Sequence, residues 1–430
     1  MTSSAADDAF RRLLAAPRSA AEPAWLESLR EEARAAFLAS GLPTTRDEDW
    51  RFTPLSKLEH VDFAAAPAGG EPELEAALAR VGPGHRLVFV NGRFAPSHSR
   101  IGTLPGGCVL GSLEQQLAGD HRRIDGLLTR DVKRRPFAAL NGALFRDGAW
   151  IHVDRHAQVD EPIHVVFAVT AAAAPVATHT RNVVLAGAHS RARVIEHHVG
   201  APGTHLANSV TELIVEDSST LDHVLVQELG AADFGFLGVF ARQESESRLR
   251  MHSVALGGLL ARVEIEARLA DERAELELDG LYLGRGAQHQ DHHTTIDHAA
   301  PRTTSRELFK GILDGRAHGV FHGRVHVRPD AQKIDASQTN RTLLLSDGAV
   351  IDAKPQLEIY ADDVKCSHGA SVGQLDPDQI FYLRSRGLEL ERARALLTFA
   401  FGSEVLARLP VPALRESLER ELLGWLGSAP

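Results

Sequence analysis

Apolar residues recur at helical spacing over residues 5–14 and 23–40, and Gly41-Leu42-Pro43 supplies the glycine and proline that stop the second run. A polar stretch at 46–55 carries two aromatic anchors, Trp50 and Phe52. Residues 86–90 read as a short strand ahead of the Asn91-Gly92 turn. Helical spacing returns over 111–146, with a basic patch at Lys133-Arg134-Arg135. From Trp150 to about Gly373 that spacing disappears. Short Val/Ile/Leu strands alternate there with turn residues, and several segments share one design: an apolar strand, a tight turn, then an alternating strand. The turns fall at Gly187, Asp217, Ser245, Asp271, Asp314-Gly315 and Asp347-Gly348.

Those turns return at roughly thirty-residue intervals, apart from one longer step between Asp271 and Asp314. A strand-only unit of that length leaves an apolar face bare, and stacking on a neighbour closes it. Stacked parallel strands, a parallel β-helix, meet the requirement; a β-sandwich is the rival, with shorter turn spacing. After Gly373 the chain reads as helical again. Asp376-Pro377 supplies an N-cap and a first-turn proline for a helix ending at Gly387, and 390–409 and 412–426 form two more, separated by Pro410. The expected layout is therefore a mostly helical region at 1–149, a β-helix core at 150–373 and a helical region at 374–430.

With 430 residues, the chain exceeds one compact core, which agrees with a repetitive architecture. A net charge of -10 argues against a general nucleic-acid binder. No basic-then-apolar signal segment opens the chain and no apolar run is long enough to span a bilayer, so a cytoplasmic protein without membrane contact is expected. The two cysteines, Cys108 and Cys366, suit free thiols in a reducing compartment. No lysine follows a glycine, which rules out a P-loop, and two cysteines alone cannot supply four thiolates to a cluster.

Two local features could carry chemistry. The run 288–298 holds His289, Asp291, His292, His293, Asp297 and His298. On a strand, His289, Asp291 and His293 share one side while His292 points the other way. Imidazole and carboxylate at this spacing suit a Zn or Fe site, and equally suit a hydrogen-bonded ladder along the sheet surface. The second feature is Lys365-Cys366-Ser367-His368-Gly369, where Cys366 and His368 fall on one strand face. A cationic neighbour lowers a thiol pKa; an inert buried Cys beside a hydrogen-bonded His is the other reading.

Longer stretches carry a resemblance. TSRELFKGIL at 304–313, GVFHG at 319–323, AQKIDA at 331–336, NRTLLLSD at 340–347, KPQLEIYADDVKCSHGA at 354–370, VGQLD at 372–376 and FYLRSRG at 381–387 resemble the SufB/SufD family, as does DEDWRFTPL at 47–55. Within it, the K-C-S-H-G sequence and the low cysteine count look like the SufD branch. His322 departs from the Asn found in many relatives. The resemblance implies a right-handed parallel β-helix and a non-catalytic scaffold that pairs with SufB, binds the SufC ATPase and serves iron–sulfur cluster assembly. It implies that Cys366 and His368 lie at the SufB-facing site, with His368 as a transient iron or cluster ligand. It also implies SufC contacts over 376–409, where Phe381, Leu383, Leu396 and Phe401 are the candidates. No tightly bound cofactor is expected on the chain alone, only a transient cluster in the complex, and a homodimer is open to the isolated chain. The alternative is a metal-dependent β-helix enzyme using 289–298.

Overall fold

The computed structural model describes residues 5–16, 22–69, 78, 81–128 and 135–427. From Ala149 onward the chain climbs as a parallel β-solenoid. One sheet rises from Ala149–Val153 to Val350–Ile359 and the other from Ile163–Ala168 to Val364–Gly373, with successive strands alternating between them. Phe234 pairs with Leu260, Leu260 with His289, His289 with His318 and His318 with Val350, so one coil takes 26 to 32 residues. Inward positions such as Leu237, Val263, Leu249 and Leu276 stack into a continuous apolar interior. The stack begins before Trp150: His85–Val90 pairs in parallel with Ile163–Ala168, and Val109–Ser112 pairs with Ala149–Val153.

The uneven turn spacing has a geometric cause. Gly187, Asp217, Ser245 and Asp271 lie at corners leading from the first sheet to the second, whereas Asp314-Gly315 and Asp347-Gly348 lie at corners leading back. The long step is a change of corner. The coil between them turns at 299–303, where Arg302 adopts φ 61°. His189, Ser218, Glu246, Arg273 and Lys333 hold the same left-handed conformation on their own coils. Each backbone N–H donates to the next coil: His189 to the Asp217 carbonyl at 2.8 Å, Ser218 to Ser245 at 2.8 Å, Arg302 to Gln332 at 2.9 Å. A vertical ladder, rather than glycine, pays for the left-handed backbone at these corners.

Helices cover both outer faces. Ala5–Ala15, Ala24–Ser40 and Pro136–Leu144 bury Phe10, Phe37 and Phe137 with Trp50 and Phe63 against Leu206, Val210, Phe234, Phe236 and Leu260 of the first sheet. Lys133 and Arg134 of the basic patch lie outside the described residues, and Arg135 pairs with Glu266 of the solenoid. Leu390–Leu406 and Pro412–Trp425 lay Val405, Leu406, Leu414, Leu418 and Leu422 on Val224, Val254, Leu281 and Ile312 of the second. Among the described residues, no helix is long and apolar enough to cross a membrane.

Among the described residues, nothing covers the C-terminal end of the stack. Val350–Ile359 and Val364–Gly373 terminate their sheets, each with one free edge. Val350 (49%), Tyr360 (61%) and Val372 (52%) are exposed there.

Candidate functional site

Side-chain alternation along Val364–Gly373 decides what enters the solenoid mouth. Cys366 packs with Ala336, Ile334, Val327 and Ala361, so it turns inward, and His368, two residues on, shares that side. Among the described residues no further coil covers His368, so an inward side chain is exposed. The two cysteines stand at opposite ends of the stack: Cys108 accepts from the Asp154 N–H near the first coil, and both are free thiols. Burial raises the Cys366 thiol and Asp335 adds to the effect, against a backbone hydrogen bond from Ala336. Of the two readings of this pair, the raised thiol favours the inert, partly buried Cys; desolvation dominates, and Lys365 points to the other face of the strand.

Beneath His368, the inward column of the second sheet runs through Gln338, Glu307 and Leu278. Gln338 Nε2 donates to Glu307 Oε2 at 2.6 Å, and both side chains are buried. Burial pushes the Glu307 carboxyl up to about 7, against hydrogen bonds from Thr294 and Gln338. An acid raised above its unfolded value of 4.5 gives its full contribution below that pH and loses it as pH climbs through the folded value. Wild type is expected to lose up to about 3 kcal/mol relative to Glu307→Gln over that window. Denaturant midpoints of both proteins at acid and alkaline pH check it; parallel curves would refute it.

The histidine run divides as strand alternation requires. His292 points inward and stacks on Tyr282 with ring centroids 4.9 Å apart. His289, Asp291 and His293 face outward, beneath residues 49–53. His289 Nε2 lies 3.1 Å from Thr53 Oγ1, which donates to Asp291 Oδ2 at 2.6 Å. Arg262 Nη1 donates to the same oxygen at 2.7 Å and to the Asp49 carbonyl at 2.8 Å, with its guanidinium 4.1 Å from the Trp50 ring. The ladder is therefore buried, and it anchors the Asp-Glu-Asp-Trp turn to the sheet. Burial brings His289 and His293 down to about 4, so both are neutral at pH 7. Burial opposes charge on Asp291, yet His293 and Arg262 hold its carboxyl well below the usual carboxylate range.

His289 and Asp291 are thus committed to Thr53 and Arg262. The structure instead brings His293 together with His322 and Asp49, whose ligand atoms lie within 4.8 Å of one another. Asp49 sits in the acidic turn and His322 at the one departure noted in the family pattern, but no spacing rule joins them to His293. Over this run, Thr53 closes off His289 and Asp291, which are the two residues the enzyme alternative shares with the buried ladder. A G-x-S-x-G pattern does occur at 369–373, but it runs along the strand Val364–Gly373 rather than at the strand-to-helix turn that a nucleophile elbow requires.

On the C-terminal helices, Phe381 is 74% exposed and Leu396 47% exposed, while Leu383 is half-buried. Phe401 turns to the solenoid instead: its ring lies 4.3 Å from Lys310 Nζ, which donates to the Phe401 carbonyl at 3.0 Å. A cleft of ≈ 940 Å³ opens beside Leu396, lined by Leu345, Phe399, Leu423 and Trp425 among others.

Comparison with known proteins agrees with the motif resemblance. The family model for the SUF system FeS cluster assembly SufBD core domain matches residues 167–401, and that for the SufBD protein N-terminal region matches 16–165. The chain is 33% identical over 418 residues to an iron–sulfur cluster assembly SufBD family protein of Synechocystis, covering 94% of this chain and 91% of that one. It is 31% identical over 396 residues to the iron–sulfur cluster assembly protein SufD of Escherichia coli (91% and 90% covered). It is 26% identical over 414 residues to SufD of Bacillus subtilis (92% and 93% covered).

Proposed function

The chain belongs to the SufBD family of iron–sulfur cluster assembly proteins, and from that premise we propose that it is a non-catalytic scaffold subunit that pairs with SufB through the open end of its solenoid and carries SufC on its C-terminal helices. The observation that carries this reading is the uncovered mouth: two edge strands side by side, with His368 exposed between them. Free edges offer rows of unpaired N–H and C=O groups to a partner strand. His368 then adds an imidazole to a cluster shell whose thiolates come largely from SufB, and Cys366 takes a lesser part. The cluster is transient cargo of the complex, not a resident cofactor of this chain.

Phe381 and Leu396 are the SufC-facing candidates, because both are apolar and exposed, and Leu396 lines the cleft. Leu383 is half-buried, and Phe401 holds its helix to Lys310. Co-expression with tagged SufB and SufC tests the assembly. The double variant Phe381→Asp/Leu396→Asp is expected to weaken SufC recovery by about 2 kcal/mol or more, the scale of interface hot spots, while SufB recovery is unchanged. Full SufC recovery with the double variant would remove the docking assignment.

A further inference from the structure

On the outer face of the first sheet, His322 Nε2 lies 2.9 Å from Gln356 Oε1, and Arg324 Nε donates to that same oxygen at 3.4 Å. An atom that accepts from Arg324 is the amide oxygen, so it accepts from His322 as well, and the His322 proton sits on Nε2. The other ring nitrogen, Nδ1, then carries a lone pair and faces Asp49 Oδ1 at 3.9 Å. Two electron-rich atoms oppose each other across a gap too wide for a hydrogen bond. Arg324 Nη2 stands 3.7 Å from that oxygen, but Arg324 is shared with Glu358. A metal ion held at about 2.0–2.2 Å from each atom fits such a gap.

The third group comes from the neighbouring strand. His293 pairs with His322 in register, their rings stand edge to face at 4.8 Å, and the ligand atoms of Asp49, His293 and His322 all fall within 4.8 Å. Behind His293, Asp291 Oδ1 lies 3.1 Å from Nε2, and the other Asp291 oxygen is fixed by Thr53 and Arg262. A buried carboxylate behind an imidazole is the usual device for orienting a ligating histidine.

We propose that Asp49, His293 and His322 form a binding site for one divalent first-row metal ion, Zn²⁺ or Fe²⁺, which fastens the N-terminal Asp-Glu-Asp-Trp turn to the solenoid. Two imidazoles and one carboxylate suit both ions and leave positions for water. Asp49 is 41% exposed at its side chain, so the solvent side is open to entry. The site would tie Asp49 to the strands His289–His298 and His318–Val327, far along the chain. It does not depend on the partner reading above.

The test uses the tag-free full-length chain, stripped with a chelator and titrated calorimetrically with Zn²⁺ and, without oxygen, with Fe²⁺. Co²⁺ serves as the optical probe. One equivalent is expected to bind, with affinity at least about 10-fold weaker in His322→Asn and in Asp49→Asn, since loss of even an outer partner has that scale. His326→Asn, on the same face but outside the cluster, should bind as wild type. Binding should also raise the thermal midpoint of wild type and not of the two site variants. No stoichiometric binding to wild type, as a His322 imidazolium donating to Asp49 would give, overturns the proposal. So does binding that His322→Asn and Asp49→Asn leave unchanged.

Discussion

His368→Ala in a complex assembled with SufB and SufC is expected to lower cluster iron by about 10-fold or more, the scale of losing a group that holds a metal centre, while assembly proceeds normally. The side chain is exposed at the mouth, so its removal leaves the solenoid interior untouched, and surface substitutions of that kind stay within about 0.5 kcal/mol. Cluster chemistry has fewer substitutes for it. This chain has two cysteines, and only Cys366 is near the mouth. Its thiol is half-buried against Ala336 and Ile334 and raised by burial, so it presents little thiolate at neutral pH. Cys366→Ala is therefore expected to do less than His368→Ala. Iron content and visible absorbance of the purified complexes report the difference, with circular dichroism and gel filtration as controls. Wild-type loading in the His368→Ala complex would reduce the residue to a surface side chain.

The parts of this architecture that could be read from the chain are those governed by local period. The helices Ala5–Ala15 and Ala24–Ser40, the period-two strands and the Asp376-Pro377 start follow from spacing and capping, and Asp376 does cap its helix, accepting from the Asp378 N–H at 2.9 Å. Within 111–146, by contrast, only Leu113–Ala118 and Pro136–Leu144 are α-helical among the described residues. Alternation also separated His292 from His289, Asp291 and His293. The corners were only half legible. Ser218, Glu246, Arg273, Arg302 and Lys333 adopt left-handed backbone without glycine or asparagine, because the ladder to the next coil enforces it. Turn chemistry is silent wherever tertiary hydrogen bonds set the conformation. The same limit hid the cluster of Asp49, His293 and His322, which exists only through sheet register and the docking of residues 49–53. The open mouth was hidden too: strands 350–359 and 364–373 read like those before them, and their exposure comes solely from having no next coil.

That last difference carries the second large effect. Val350 and Val372 lie on the two terminal strands, 49% and 52% exposed, so a lysine at either position keeps its charge in water in the free chain. Stability of the Val350→Lys/Val372→Lys variant should match wild type. Pairing through the mouth changes the balance, because the ammonium at 372, on the inward face of its strand, would have to leave water without a partner, while the one at 350 stands on the outward face of the edge strand. An unpaired buried charge costs about 3 kcal/mol or more, and about 1.4 kcal/mol is tenfold in affinity. Lysine on an edge strand is also a device by which proteins block strand addition. The double variant is therefore expected to bind SufB at least about 100-fold more weakly. If the isolated chain self-associates through the same edges, the variant should turn that dimer into a monomer by light scattering. SufC recovery should persist, since Phe381 and Leu396 lie on the helices rather than on the edge. Wild-type affinity for SufB in the double variant would move the pairing surface away from the mouth, and His368 with it.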